Sequence, residues 1–236
     1  MKLLSNINGV TIIDNFLNEA DLKTICDQIE SDTYTKIDLG VDKIYRLNSG
    51  EIYKNEKKYW SKNLPWNTGY DLFMTKLIPL FNDNNLVKFI KNLNISLKVH
   101  AYRPGAEIGW HQDSNSAFSY SYYCHKQWHP MWGGNLLIAN QNIETKNFFL
   151  ETNENNRIKL NDVYGEIYGA RGITFDHSSE KILLDPGMGS FIMPIPNRLV
   201  IINNNVFHKV ERVDMSAGSN CRLSLTGFID SDENEG

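Results

Sequence analysis

The stretch Ile95-Ser-Leu-Lys-Val-His-Ala-Tyr-Arg-Pro-Gly-Ala-Glu-Ile-Gly-Trp-His-Gln-Asp113 decides the fold. Upstream of it the apolar residues recur at helical spacing. From residue 95 onward the period becomes two. Leu97, Val99 and Ala101 fall on one face of an extended segment, and Arg103-Pro104-Gly105 then turns the chain. Past the turn, His111 and Asp113 are two residues apart, a spacing that in a strand puts both side chains on one face.

Outward toward the C-terminus, strand-like segments recur near 118–124, 135–139, 146–150, 182–184, 190–193, 198–203, 206–211 and 222–229. Turns at Trp132-Gly133-Gly134 and Asp185-Pro186-Gly187 punctuate them. The polar, Asn-rich residues 140–181 are longer than an ordinary hairpin loop and form an insertion, either a substrate-contacting loop or a tolerated surface excursion. Toward the N-terminus, VTIIDNFL at 10–17 reads as a strand entering a turn. Asn18 or Asn15 then caps a helix whose apolar face is Leu22, Ile25, Cys26 and Ile29. Residues 31–50 read as short strands, and the charged run Lys54–Lys62 as a solvated face. Trp60, Trp66, Tyr70, Phe73, Leu77 and Leu80 suggest a second helix that Pro79 ends or kinks. Leu86, Val87, Phe89, Ile90 and Leu93 have helical spacing again. Helices first and strands after define a mainly β fold with flanking helices (α+β), a barrel or two-sheet jelly roll braced by N-terminal helices.

Composition sets the outer bounds. The chain has 236 residues, 41% hydrophobic and 11% aromatic, enough for one sizeable core. The single domain expected over 1–236 divides into helical support and first strands at 1–94 and a jelly-roll catalytic core at 95–230. A net charge of −4 argues against nucleic-acid or membrane-surface partners, and no apolar run reaches spanning length. Cys26, Cys124 and Cys221 are widely spaced without a CxxC and read as reduced thiols. With no apolar h-region in MKLLSNINGV, the expected location is cytoplasmic.

Chemistry concentrates at His111-x-Asp113 and His208. An imidazole and a carboxylate on one strand face, closed by an imidazole from a neighbouring strand, make a two-histidine, one-carboxylate face. It leaves three positions of an octahedral metal open, the arrangement of non-heme Fe(II) oxygenases. A bare HxD is common and decides little alone. Its surroundings decide more: Tyr102-Arg-Pro-Gly105 before it, then Tyr122-Tyr123, Trp128-x-x-x-Trp132-Gly133-Gly134 and Pro196-Asn197-Arg198-Leu199-Val200. His208-x-Val210 and Arg222-x-Ser224-x-Thr226-Gly227 complete the series.

This ordered series, with the opening IIDNFLNEADL, resembles the prolyl-4-hydroxylase-like family of Fe(II)/2-oxoglutarate-dependent dioxygenases across nearly the whole chain. The resemblance implies a double-stranded β-helix. It implies that His111, Asp113 and His208 bind Fe(2+), and that Arg222 receives the distal carboxylate of the cosubstrate 2-oxoglutarate. Ser224 would share the inward face with Arg222, and Tyr102 and Tyr122 would add 2-oxoglutarate contacts. O2 is the oxidant, with ascorbate as an optional addition, and Asp113 in place of Gly or Ala favours hydroxylation over halogenation. The substrate would be a prolyl residue in a peptide, a free amino acid or a small metabolite. A buried dicarboxylate does need a fixed cation, and the guanidinium fork matches a carboxylate.

The chain departs from the family pattern in two places. Arg222 lies fourteen residues after His208 rather than about ten, so Arg212 is a rival for its role. Asn135 follows the double glycine where an acidic residue is usual. His125 and His129 have a helical metal spacing but lack the HExxH glutamate, and His100 and His177 read as ordinary strand or loop histidines. Trp128 and Trp132 either line an entrance or pack the barrel edge. A non-catalytic jelly-roll binding protein and a cupin-type enzyme are the alternatives; the first must explain an intact ligand set, and the second has no use for Arg222.

Overall fold

A computed structural model describes residues 2–7, 9–31, 34–38, 43–47, 51–54, 57–59, 69–82, 93–111, 113, 116–139, 188–204 and 206–231. The expected third helical cluster at 86–93, the strands at 146–150 and 182–184, the insertion 140–181 and His177 fall wholly or mainly outside these residues.

Strand β1 (Lys2–Ile7) pairs with β2 (Val10–Asp14) and leads into helix α1 (Glu19–Ser31). Asn18 caps that helix: its Oδ1 accepts from the Asp21 amide at 2.9 Å and its Nδ2 donates to the Asp21 carboxylate at 2.8 Å. Ile25, Cys26 and Ile29 are buried. Strands β3 (Tyr34–Asp38) and β4 (Lys43–Leu47) pair antiparallel, in the stretch 31–50 that reads as short strands. The charged run Lys54–Lys62, expected to be a solvated face, overlaps a second hairpin, β5 (Glu51–Lys54) with β6 (Lys57–Tyr59). Its lysines hid the pairing, because composition reports solvent contact and not hydrogen-bond geometry.

Helix α2 (Gly69–Leu77) buries Tyr70, Phe73, Met74 and Leu77. Pro79 does break it, and a short α3 (Pro79–Asn82) follows. At Gly69 the two helices nearly touch: a Cβ there would lie 2.9 Å from Ile25 Cα.

The remaining strands are β7 (Leu93–Tyr102), β8 (Ile108–His111), β9 (Phe118–Tyr123), β10 (Leu136–Ala139), β11 (Gly189–Ile192), β12 (Leu199–Asn203), β13 (His208–Val210) and β14 (Arg222–Ser231). They alternate between two antiparallel sheets. The larger has the order β1-β2-β12-β9-β14-β7-β4-β3, with β5 also on β7, and the smaller the order β11-β10-β13-β8. A chain that crosses between two facing sheets at almost every turn is a double-stranded β-helix, the fold the family resemblance implied and a form of the two-sheet jelly roll that the element order suggested.

Alternation along the major sheet makes two cores. One face packs Leu97, Val99, Tyr122 and Leu225 against Ile25, Phe73 and Leu77 of the helices. The opposite face closes on the minor sheet with Tyr102, Tyr123, Val200, Leu136, Ile138 and Val210. The helices thus brace the sheet from outside and leave the space between the sheets for chemistry.

Candidate active site

The hydrogen-bond ladder assembles the first group. Strands β8 and β13 pair so that His208 lies directly opposite His111. Their rings tilt toward each other with centroids 4.2 Å apart. His111 is the last residue of β8, so Asp113 sits just past the strand rather than within it; the two side chains still converge. Asp113 Oδ2 is 3.4 Å from His208 Nε2, and its Oδ1 is 3.9 Å from His111 Nε2. One ligating atom from each residue lies within 4.8 Å of the others, the one such group of His, Cys, Asp or Glu among the described residues.

Backbone carbonyls set the tautomers. His111 Nδ1 is 2.8 Å from the Gly109 carbonyl and His208 Nδ1 is 2.9 Å from that of Val206. A carbonyl can only accept, so each Nδ1 carries the proton and each Nε2 turns a lone pair toward Asp113. Burial, and then His111 alongside, push the His208 pKa down despite Asp113, which keeps that ring neutral and ready to ligate. Two lone pairs and a carboxylate facing one point without a proton between them fit a divalent cation.

The second group lies at the start of β14. Arg222 is 1% exposed, the largest side chain among the most deeply buried described residues. Its guanidinium carbon is 4.7 Å from the Tyr102 ring centroid and 4.8 Å from that of Tyr123, held between two aromatic faces. Its Nε and Nη2 have no hydrogen-bond partner among the described residues, nor do Ser224 Oγ and Tyr123 Oη. Unpaired buried donors of this kind are costly unless a ligand meets them. A carboxylate end is the ligand that fits, since it accepts from a guanidinium and from hydroxyls together. Burial raises the Tyr123 pKa although Arg222 pulls the other way, so the phenol stays protonated and donates.

Gly134 makes room for the arginine. A Cβ there would lie 3.0 Å from Arg222 Cδ, and its φ of 68° already favours glycine. The double glycine expected to be a turn is therefore also a packing requirement. Asn135 has a partner of its own, donating from Nδ2 to Glu211 at 2.7 Å, which places it at the strand junction and outside both groups.

Of the residues singled out in the sequence, Tyr102 pairs in register with Arg222, and Ser224 is fully buried opposite both His100 and Tyr123. Tyr122 is a correction. It lies on the helix side of β9, against Phe16 and Phe73, and its hydroxyl donates to Asn197 at 2.9 Å. Adjacent strand residues face opposite ways, so Tyr123 takes the inward position beside Arg222. The signal was available: Ser121 and Tyr123 alternate with Tyr120 and Tyr122, and only one set can share the face of Ser224.

Arg212 is two-thirds exposed and binds Glu107 at 2.6 Å, which removes it from the interior. His125 is buried with its Nε2 donating to the Pro194 carbonyl at 2.6 Å, and His129 caps a short turn through the Met131 amide. Neither joins a metal group among the described residues. Trp128 and Trp132 pack edge to face at 5.2 Å on the rim of the inner core.

A family model described as the 2OG-Fe(II) oxygenase superfamily matches residues 97–230. A search of curated proteins finds no match. Among solved structures, a Pseudomonas putida prolyl-4-hydroxylase superposes with a TM-score of 0.57 at 14% identity, covering 95% of this chain and 94% of that one. A Trichoplax adhaerens prolyl hydroxylase, solved with a hypoxia inducible factor peptide fragment, gives 0.60 at 15% identity over 97% and 86%. The IDO protein of Bacillus thuringiensis gives 0.51 at 17% over 95% and 91%. At these identities the superpositions speak for the fold.

Proposed function

The chain belongs to the 2OG-Fe(II) oxygenase superfamily and is an enzyme of that class, and from this premise we propose that it hydroxylates an unactivated C–H bond of a small-molecule or peptide substrate. The observation that carries this reading is the pairing of the two groups inside one barrel: the converged His111, Asp113 and His208, and the buried, unsatisfied Arg222. In this reading Fe(2+) held by the first group, with 2-oxoglutarate and O2, supplies the oxidant that places one oxygen atom on the substrate carbon while 2-oxoglutarate becomes succinate and CO2.

The protein's own residues do the rest. His111 and His208 present Nε2 lone pairs because Gly109 and Val206 hold their Nδ1 protons. Asp113 would supply the negative charge that offsets a metal held by these three residues. Arg222 fixes one end of the diacid, aided by Ser224 and the phenol of Tyr123, while Tyr102 and Tyr123 hold the guanidinium flat and exclude water. A prolyl residue in a peptide, a free amino acid and a small metabolite are the substrate classes, with ascorbate as an optional accessory reductant.

The test is anaerobic titration of the purified chain with Fe(II) and then 2-oxoglutarate, followed by an aerobic screen for succinate. Stoichiometric binding of both, with succinate formed only when both are present, is the expected result. A chain that binds neither, or forms no succinate, is the non-catalytic binding protein instead.

A further inference from the structure

Two tyrosine rings face the Arg222 guanidinium, and their hydroxyls differ. The Tyr123 hydroxyl has no partner among the described residues. The Tyr102 hydroxyl meets a histidine, lying 3.4 Å from His100 Nδ1. The His100 and Tyr102 rings also pack edge to face, with centroids 6.0 Å apart and planes at 70°. His100 is 7% exposed and is not one of the three converged metal-ligating residues.

Strand parity accounts for this placement. Strand β7 turns Leu97 and Val99 toward the helices and Tyr102 toward the minor sheet, so His100 shares the face of Tyr102. Register then puts His100 opposite Ser224, and Ser224 opposite Tyr123. That row lies two residues, roughly 7 Å, along the strands from the pairing of Tyr102 with Arg222. His100 thus belongs to the wall that carries the unpartnered Arg222 Nε and Nη2, Ser224 Oγ and Tyr123 Oη.

A second hydroxyl fixes the imidazole. Thr226 Oγ1 is 3.5 Å from the same Nδ1. Both distances are at the long end of a hydrogen bond, as when one nitrogen serves two oxygens. Either tautomer serves: a lone pair on Nδ1 accepts from a hydroxyl, and an Nδ1–H is shared between the two oxygens. The consequence reaches Arg222 through the tyrosine. Tying the far end of the Tyr102 ring fixes the plate that lies 4.7 Å from the guanidinium carbon. A guanidinium fork makes two parallel bonds to a carboxylate only in the right plane, so a shift of that plate is felt at the ligand.

We propose that His100 is a positioning residue for the cosubstrate: with Thr226 it holds the Tyr102 ring against Arg222, and through Arg222 it sets the affinity for the distal carboxylate. This deepens the proposed reaction and rests on it. The two tyrosines divide the work, Tyr123 offering its hydroxyl to the diacid and Tyr102 its ring to the guanidinium.

The test is anaerobic calorimetric titration of the Fe(II)-loaded full chain with 2-oxoglutarate. Wild type is compared with His100→Phe, His100→Asn, Tyr102→Phe and the combination of His100→Phe with Tyr102→Phe. His100→Phe keeps a ring without a nitrogen and should weaken binding by roughly two- to tenfold, the range for one neutral hydrogen bond. His100→Asn keeps a polar atom near the place of Nδ1 and should restore most of the affinity. In the Tyr102→Phe background, His100→Phe should cost nothing further, because the hydroxyl it held is gone. A merely structural histidine would weaken binding alike in both backgrounds. Wild-type affinity in His100→Phe, additive losses in the combination, or no rescue by asparagine overturns the inference. Where His100→Phe does not fold, Thr226→Val gives the same reading with the imidazole in place: affinity falls beside Tyr102 and not beside Tyr102→Phe, and equal losses overturn it. Wild-type 2-oxoglutarate binding and aerobic succinate release uphold the proposed reaction whatever the variants do; a wild type that binds no 2-oxoglutarate overturns both.

Discussion

Arg222 is the residue whose surroundings say most. Truncating one member of a buried, hydrogen-bonded charge pair costs about 2–5 kcal/mol, and each 1.4 kcal/mol is about tenfold. Arg222→Ala should therefore weaken 2-oxoglutarate binding by roughly 30- to several-thousand-fold, with iron binding retained because its ligands are on other strands. Arg222→Lys keeps charge without the fork and should fall between, and Arg212→Ala, at an exposed pair with Glu107, should change little. Calorimetric titration with 2-oxoglutarate decides it; a large loss in Arg212→Ala beside an unchanged Arg222→Ala would reverse the assignment. The paired tyrosines allow a finer contrast. Tyr123→Phe removes an inward hydroxyl and should weaken 2-oxoglutarate binding. Tyr122→Phe removes the bond to Asn197 and should instead lower stability by about 1 kcal/mol with binding unchanged. Equal effects of the two on binding would mean that strand parity does not decide which tyrosine serves the site. The buried, inward position of Arg222 was legible in the sequence, because Ser224 and Thr226 keep its parity; the inward position of Tyr123 was passed over because two adjacent tyrosines look alike until a face is assigned.

Among the elements, β14 does the most positioning, since it lies between β7 and β9 and carries the inward row from Arg222 onward. Its Gly227 is where that packing is tightest. Tyr120 on β9 reaches across it to donate to the Ser96 carbonyl at 2.8 Å, and a Cβ on Gly227 would come within 1.7 Å of that carbonyl oxygen. Gly227→Ala must push β7 and β14 apart. Overpacking typically costs about 1–3 kcal/mol and sometimes more, so urea denaturation should show a loss at or above that range. A midpoint equal to wild type would mean the strands slide freely there. Four strands of the major sheet were readable from their apolar patterning and the turns that bound them: β7, β9, β12 and β14 fall within two residues of expectation. The hairpin of β5 and β6 was not, since its residues are charged and its pairing with β7 is a long-range contact without local signature. The position of Asp113 beyond β8 was equally hidden, because a two-residue spacing in the sequence does not say where the strand ends.

For the whole molecule, the division into a helix-backed core and an inter-sheet core explains how a barrel can hold polar groups without losing stability. The helix side supplies most of the apolar burial, which frees the inner face for chemistry. That interior also carries a pH liability. Burial, followed more weakly by the nearby Arg222 charge and opposed by the Pro194 carbonyl, pushes the His125 pKa down from 6.5 to about 4. Above pH 6.5 the ring is neutral folded or unfolded. As pH falls below that, the unfolded chain takes up a proton that the folded one refuses. Stability then drops by up to about 1.4 kcal/mol per pH unit until the folded pKa is reached, roughly 3 kcal/mol from this one group. Urea unfolding at pH 7 and pH 4.5 should show the drop, and His125→Asn should flatten it; an identical slope in the variant would place the proton uptake elsewhere. The central claim, that His111, Asp113 and His208 form the metal site of a working oxygenase, is tested most directly by one measurement. Iron content and 2-oxoglutarate-dependent succinate release are determined together for wild type, His111→Ala and His208→Ala. The account predicts one Fe(II) per chain with turnover in wild type and loss of turnover in both variants; unchanged iron content and turnover in both variants would contradict it.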